Sequence, residues 1–131
     1  MANSSRWYMT LVLDSLHTTT SGEALGTEGE WYFKVEGHRW PQKGHVKLSK
    51  NETFSPPDPK PHLWSAVLSK QTDPIKLDIY VKEEDVIKDD TMLEGQITAF
   101  FESKDKIVEL KSKDGRVTLK VRLIVTPAPN W

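Results

Sequence analysis

Strict two-residue alternation of apolar and polar side chains limits what this chain can fold into more than any other feature. Val117, Leu119, Val121 and Leu123 alternate with Arg116, Thr118, Lys120 and Arg122. Ile75, Leu77, Ile79 and Val81 alternate with Lys76, Asp78, Tyr80 and Lys82. Trp31, Phe33 and Val35 alternate with Tyr32, Lys34 and Glu36, and Trp7, Met9, Leu11 and Leu13 with Tyr8, Thr10 and Val12. Successive side chains of a strand point to opposite faces, so each stretch reads as a strand with one dry face and one wet one. A helix would place its apolar residues three and four apart, and no stretch of useful length does so. The alternation predicts an all-β chain.

Strands are expected over 6–14, 30–37, 44–50, 62–69, 75–82, 95–101, 107–110 and 116–125. The small and polar stretch 15–29 reads as a long loop. Arg39-Trp40-Pro41 is expected to break the ladder, because proline cannot donate and restricts the residue before it. Pro56, Pro57, Pro59 and Pro61 make a stiff surface loop. Asp114-Gly115 supplies the positive φ angles of a two-residue hairpin. Short strands with one polar face each, joined by loops of unequal length, describe an eight-stranded antiparallel β-sandwich. Leu11, Phe33, Leu77, Ile79, Ile97, Leu119 and Val121 are its expected core. The 131 residues fit one domain, 1–131.

Composition removes several classes of function. Charged residues are 28% and hydrophobic ones 37%, neither a disordered tail nor a membrane span. Without cysteine there is no disulfide and no thiolate metal site. The start, MANSSRWYMT, lacks the basic and apolar regions of a signal peptide. Cytoplasmic synthesis is expected, with peripheral membrane attachment or export by a signal-less route left open. A net charge of −1 argues against a general nucleic-acid binder. None of the G-x-S-x-G, P-loop or H-E-x-x-H motifs occurs, so the chain is expected not to be an enzyme. His17, His38, His45 and His62 lie in different segments without zinc-site spacing, and the sequence assigns none of them a metal.

Charge is unevenly placed. Glu83, Glu84, Asp85, Asp89, Asp90 and Glu94 fall within twelve residues, and Lys88 is the only base among them. Carboxylates gathered between two strands make either a solvated connection or a site for a hard cation. Lys34, Arg39, Lys43, Lys47 and Lys50 form a basic stretch, and Arg116, Lys120 and Arg122 lie on the last strand. Trp40, beside Pro41, and Trp131, at the end of the chain, are the tryptophans best placed for an exposed contact.

Three stretches resemble the C2 domain family. Glu30-Trp31-Tyr32-Phe33-Lys34-Val35 is similar to the family's Asp-Pro-Tyr-Val-Lys-Val strand. Ile79-Tyr80-Val81-Lys82-Glu83-Glu84-Asp85 is similar to its Val-Trp-Asp-x-Asp ending. Lys88-Asp89-Asp90-Thr91-Met92-Leu93-Glu94-Gly95 is similar to its Lys-Asp-Asp-Phe-Leu-Gly, with a residue inserted before the glycine. The resemblance covers nearly the whole chain and is nearest the permuted variety, in which a single strand precedes the first long loop. It implies a C2-like sandwich that binds calcium through loop carboxylates and, through calcium, anionic phospholipid head groups. Carried over, Glu30, Glu83, Asp85 and Asp89 or Asp90 are the implied calcium ligands. Glutamate stands for aspartate at Glu30 and Glu83, and the set falls short of six to eight oxygens, so the implied affinity is weak.

Two functions follow. The chain is a C2-like binding module docking on anionic membranes with calcium assistance, its contacts drawn from Lys34, Lys43, Lys47, Trp40 and Trp131. Alternatively it is a structural or interaction subunit that meets a protein partner through sandwich edges and its C-terminal tail, without calcium. Oligomerisation is open in either case.

Overall fold

The computed structural model describes residues 5–20, 29–84 and 89–129. These form ten strands: β1 (Arg6–Thr18), β2 (Gly29–Val35), β3 (His38–Trp40), β4 (Val46–Leu48), β5 (Glu52–Phe54), β6 (His62–Ser69), β7 (Ile75–Glu83), β8 (Asp90–Ala99), β9 (Lys104–Lys111) and β10 (Val117–Pro127). All pairings are antiparallel. In the first sheet β5 and β6 share one edge of β1, followed by β10 and β9. In the second, β3 and β4 share one edge of β2, followed by β7 and β8. The two sheets pack face to face as an antiparallel sandwich.

The inward faces hold the core that the alternation predicts. Leu11, Phe33, Leu77, Ile79, Ile97, Leu119 and Val121 are all buried, joined by Trp31, Met9, Leu48 and Leu93. Each such side chain contributes about 1.5–3 kcal/mol on leaving water. The chain's far end joins in: the Ala128 N–H donates to the Arg6 carbonyl at 2.8 Å, and Ala128 is buried.

Two of the ten strands, β3 and β5, are additions to the eight expected. Trp40-Pro41 does not break the ladder. Pro41 follows the last paired residue, and Phe33, Lys34 and Val35 pair with Trp40, Arg39 and His38. Glu36 and Gly37, at φ 49° and 81°, form the tight turn between them. Positive φ at both central residues is the signature of a two-residue hairpin, so that hairpin falls here and not at Asp114-Gly115. There the Ser112 N–H donates to the Val117 carbonyl at 2.9 Å across a four-residue loop, and Gly115 alone of its residues has positive φ.

The expected loop at 15–29 is likewise shortened, because β1 continues to Thr18. Its pairing with β10 shifts between Leu13 and Ser15, leaving Asp14 as the extra residue of a bulge. Before the bulge Met9, Leu11 and Leu13 face inward; after it Leu16 and Thr18 do. The proline loop is held against this bulge: Lys60 Nζ donates to the carbonyls of Asp14 and Pro56 at 3.0 and 3.1 Å.

Candidate functional site

The outer face of the second sheet, where β2 begins and β7 ends, brings a histidine together with two glutamates. Glu30, Tyr32 and Lys34 point outward from β2 by alternation with the buried Trp31, Phe33 and Val35. The Glu84 N–H donates to the Glu30 carbonyl at 2.8 Å, which sets the two glutamates side by side. Val46 of β4 pairs with Trp31, so His45, one residue earlier, arrives beside them. Gly44, at φ 78°, makes the turn that delivers it.

The imidazole bridges the two carboxylates. His45 Nε2 lies 3.4 Å from Glu30 Oε2, and Nδ1 lies 2.7 Å from Glu84 Oε2. Nδ1 and Oε2 are closed off from solvent, yet neither has an aligned hydrogen bond; the contact meets the distance of one without its direction. One ligand atom from each of Glu30, His45 and Glu84 falls within 4.8 Å of the others.

Tyr32 and Arg39 brace this corner. The Arg39 guanidinium sits 4.1 Å over the Tyr32 ring, and its Nη2 donates to the Gly44 carbonyl at 2.7 Å. The turn that carries His45 is thereby tied to β3. The Tyr32 hydroxyl donates to Asp89 Oδ2. Burial, with the Asp89 hydrogen bond and charge adding to it, pushes the Tyr32 phenol up to about 12, so it keeps its proton as a donor.

The expected calcium ligands separate. Glu30 joins the cluster, and Asp89 stands nearby with the Tyr32 hydroxyl. Glu83 is 1% exposed and shares the inward face of Ile79 and Val81, a correction that strand parity alone imposes. Asp90 begins β8, exposed and paired with Glu83. Asp85 lies outside the described residues. The side chains that stand with Glu30 are Glu84, which alternation puts on the outer face, and His45, for which spacing gave no signal. His45, to which the sequence assigned no metal, meets these glutamates.

The expected contact residues divide similarly. Lys34 is half-buried on β2, Lys47 is exposed opposite Glu30, and Lys43 is exposed between β3 and β4. Trp40 packs instead of standing out: its ring lies 6.0 Å from Phe33 and 6.3 Å from Phe54. Trp131 lies outside the described residues. Lys82 joins the same face, its Nζ 5.8 Å over the Tyr80 ring. Among the described residues no helix is long and apolar enough to cross a membrane.

No protein-family model matches the sequence, and no curated protein matches it. Solved structures do resemble the fold. Human GIVD cytosolic phospholipase A2 in complex with methyl gamma-linolenyl fluorophosphonate matches 98% of this chain with a TM-score of 0.62 at 14% identity. The chain spans 18% of that phospholipase. A structure of a C2 domain matches with a TM-score of 0.55 at 16% identity, covering 92% of this chain and 98% of that one. The C2A domain of plant Extended Synaptotagmin 1 matches with a TM-score of 0.52 at 14% identity, covering 99% and 100%. The fold is a C2-like β-sandwich.

Proposed function

We propose that this chain is a non-catalytic binding module that docks on anionic phospholipid membranes through the outer face of its second sheet. One observation carries the reading. Lys34, Arg39, Lys47 and Lys82 share that face, Arg39 laid over the buried Tyr32 ring and Lys82 over the half-buried Tyr80 ring, with Glu30 opposite Lys47 and Glu94 opposite Tyr80. Near an anionic surface each basic side chain is worth about 1 kcal/mol. The ionisable side chains lie on an open sheet face, not in a shielded pocket, which supports binding over catalysis. One structural neighbour is a phospholipase and another a C2A domain, which supports a phospholipid partner by analogy of fold.

The described side chains do not suit calcium. Calcium takes six to eight oxygens. Here an imidazole stands between Glu30 and Glu84, the Tyr32 hydroxyl engages Asp89, and Glu83 faces the core. Docking is therefore read as driven by the basic face without a calcium bridge.

Vesicle co-sedimentation tests this. Vesicles of phosphatidylcholine with phosphatidylserine should retain the protein at low salt, with chelator present, and pure phosphatidylcholine should not. Retention should fall as salt rises, because exposed charges are screened beyond about 8 Å at 0.15 M ionic strength. Equal binding to both vesicle types would overturn the reading. So would retention that appears only on adding calcium.

A second reading, a subunit that docks on a protein, is favoured by the other face. Tyr8 and Val67 pair across β1 and β6 on the outside of the first sheet, 48% and 38% exposed, and Ile107 on β9 is 51% exposed. Retention by no vesicle would favour it.

A further inference from the structure

We infer that Glu30, His45 and Glu84 form a site for a divalent transition-metal ion of the zinc class, at the end of the sheet where the C2 resemblance implies calcium. The argument rests on donor chemistry and spacing. Imidazole nitrogen suits zinc, copper, nickel and iron, whereas calcium and magnesium select oxygen. A tetrahedral ion with bonds of about 2.0–2.1 Å holds its ligand atoms about 3.3 Å apart. His45 Nε2 and Glu30 Oε2 are 3.4 Å apart, close to that edge length. One atom from each of the three residues falls within 4.8 Å of the others, which gathers all three donors around the space of a single ion.

His45 has a carboxylate at each ring nitrogen: Glu84 Oε2 lies 2.7 Å from Nδ1, and Glu30 Oε2 lies 3.4 Å from Nε2. Nδ1 and the Glu84 Oε2 are shut off from water and have no aligned hydrogen bond, an arrangement that leaves donor lone pairs to be satisfied. The backbone holds the three together: the Glu84 N–H on the Glu30 carbonyl joins β7 to β2, and Arg39 on the Gly44 carbonyl fixes the turn before His45. Three protein ligands leave a fourth position for water, the pattern of an open zinc site.

Full-length protein, first treated with chelator, is titrated separately with Zn²⁺, Co²⁺, Ca²⁺ and Mg²⁺. Zn²⁺ should raise the melting temperature by mass action, and Ca²⁺ and Mg²⁺ at equal concentration should not. Co²⁺ should give the visible absorption of a tetrahedral nitrogen–oxygen site. His45→Gln should abolish the Zn²⁺ melting shift and the Co²⁺ bands, because it removes the site's nitrogen donor. Glu84→Gln should weaken binding as well. His38→Gln, an exposed imidazole outside the cluster, should keep both signals. Circular dichroism of each metal-free variant establishes that it folds before its binding is read. The inference is overturned if Zn²⁺ gives neither a melting shift nor, through Co²⁺, an absorption band. A His45→Gln protein that binds as the parent does, or a response to Ca²⁺ equal to that to Zn²⁺, also overturns it.

Discussion

Asp105 and Arg122 meet diagonally across β9 and β10 on the outside of the first sheet. Arg122 Nε donates to Asp105 Oδ1 at 2.7 Å and Nη2 donates to Oδ2 at 2.5 Å, a fork-to-fork pair. The arginine's hydrogen bonds hold the Asp105 carboxyl below the usual carboxylate range. The unfolded chain therefore takes up a proton there before the folded chain does as pH falls. The pair's contribution is complete above the ordinary aspartate value of about 3.9, and it is lost as pH drops through the lower folded one. Carboxyl-carbon NMR should find Asp105 titrating lower in the parent protein than in Arg122→Gln, and an unchanged midpoint would refute the pairing. At this scale the sequence is legible wherever parity decides. Counted on from Ile79 and Val81, alternation puts Glu83 inside and Glu84 outside, and reading both as loop residues loses that information. His45 is not legible, because its partners come from β2 and the end of β7, far away along the chain.

At the scale of the element, the alternation locates the strands and misses their irregularities. The extent of β1 shows why. A bulge at Asp14 moves the inward phase from odd to even residues, so a two-residue pattern stops at Leu13 although pairing with β10 continues to Thr18. Leu16 is fully buried in consequence. Leu16→Ala should cost about 2–5 kcal/mol, as for any core leucine, where a surface loop residue would change stability by about 0.5 kcal/mol at most. Urea unfolding of the two proteins separates these outcomes. The hairpin at Glu36-Gly37 escapes for a related reason. Glutamate is a poor advertisement for positive φ, and the Trp40-Pro41 sequence after it reads as a break instead of a strand end. The Glu36 side chain accepts from the Asp78 N–H at 2.7 Å and so secures that turn to β7, a contact that depends on tertiary pairing.

At the scale of the whole molecule, both outer faces mix cations with acids, but they differ in how the cations are held, and that difference predicts how the domain sits on a membrane. On the outside of the second sheet Arg39 and Lys82 lie over the rings of Tyr32 and Tyr80, with Lys34 and Lys47 beside them, while Glu30 stands in register with Lys47 and Glu94 with Tyr80. On the outside of the first sheet the basic residues have acidic neighbours: Lys120 pairs in register with Glu109, Arg122 is forked to Asp105, and Lys111 lies 3.5 Å from Glu109. A double charge reversal on each face separates position from total charge. Lys34→Glu with Lys82→Glu and Lys111→Glu with Lys120→Glu alter the net charge equally. If binding depended on net charge, both pairs would weaken it alike. If the second sheet faces the lipid, the first pair removes two near-surface cations worth about 1 kcal/mol each, roughly a thirtyfold loss, and adds repulsion to it. The second pair should lie more than a Debye length from the lipid, across the thickness of a sandwich whose sheets pack about 10 Å apart, and should change affinity little at physiological salt. Vesicle partitioning of the two variants at matched ionic strength is the measurement. Equal losses would mean that the domain has no fixed orientation, and a loss confined to the second pair would turn the molecule over.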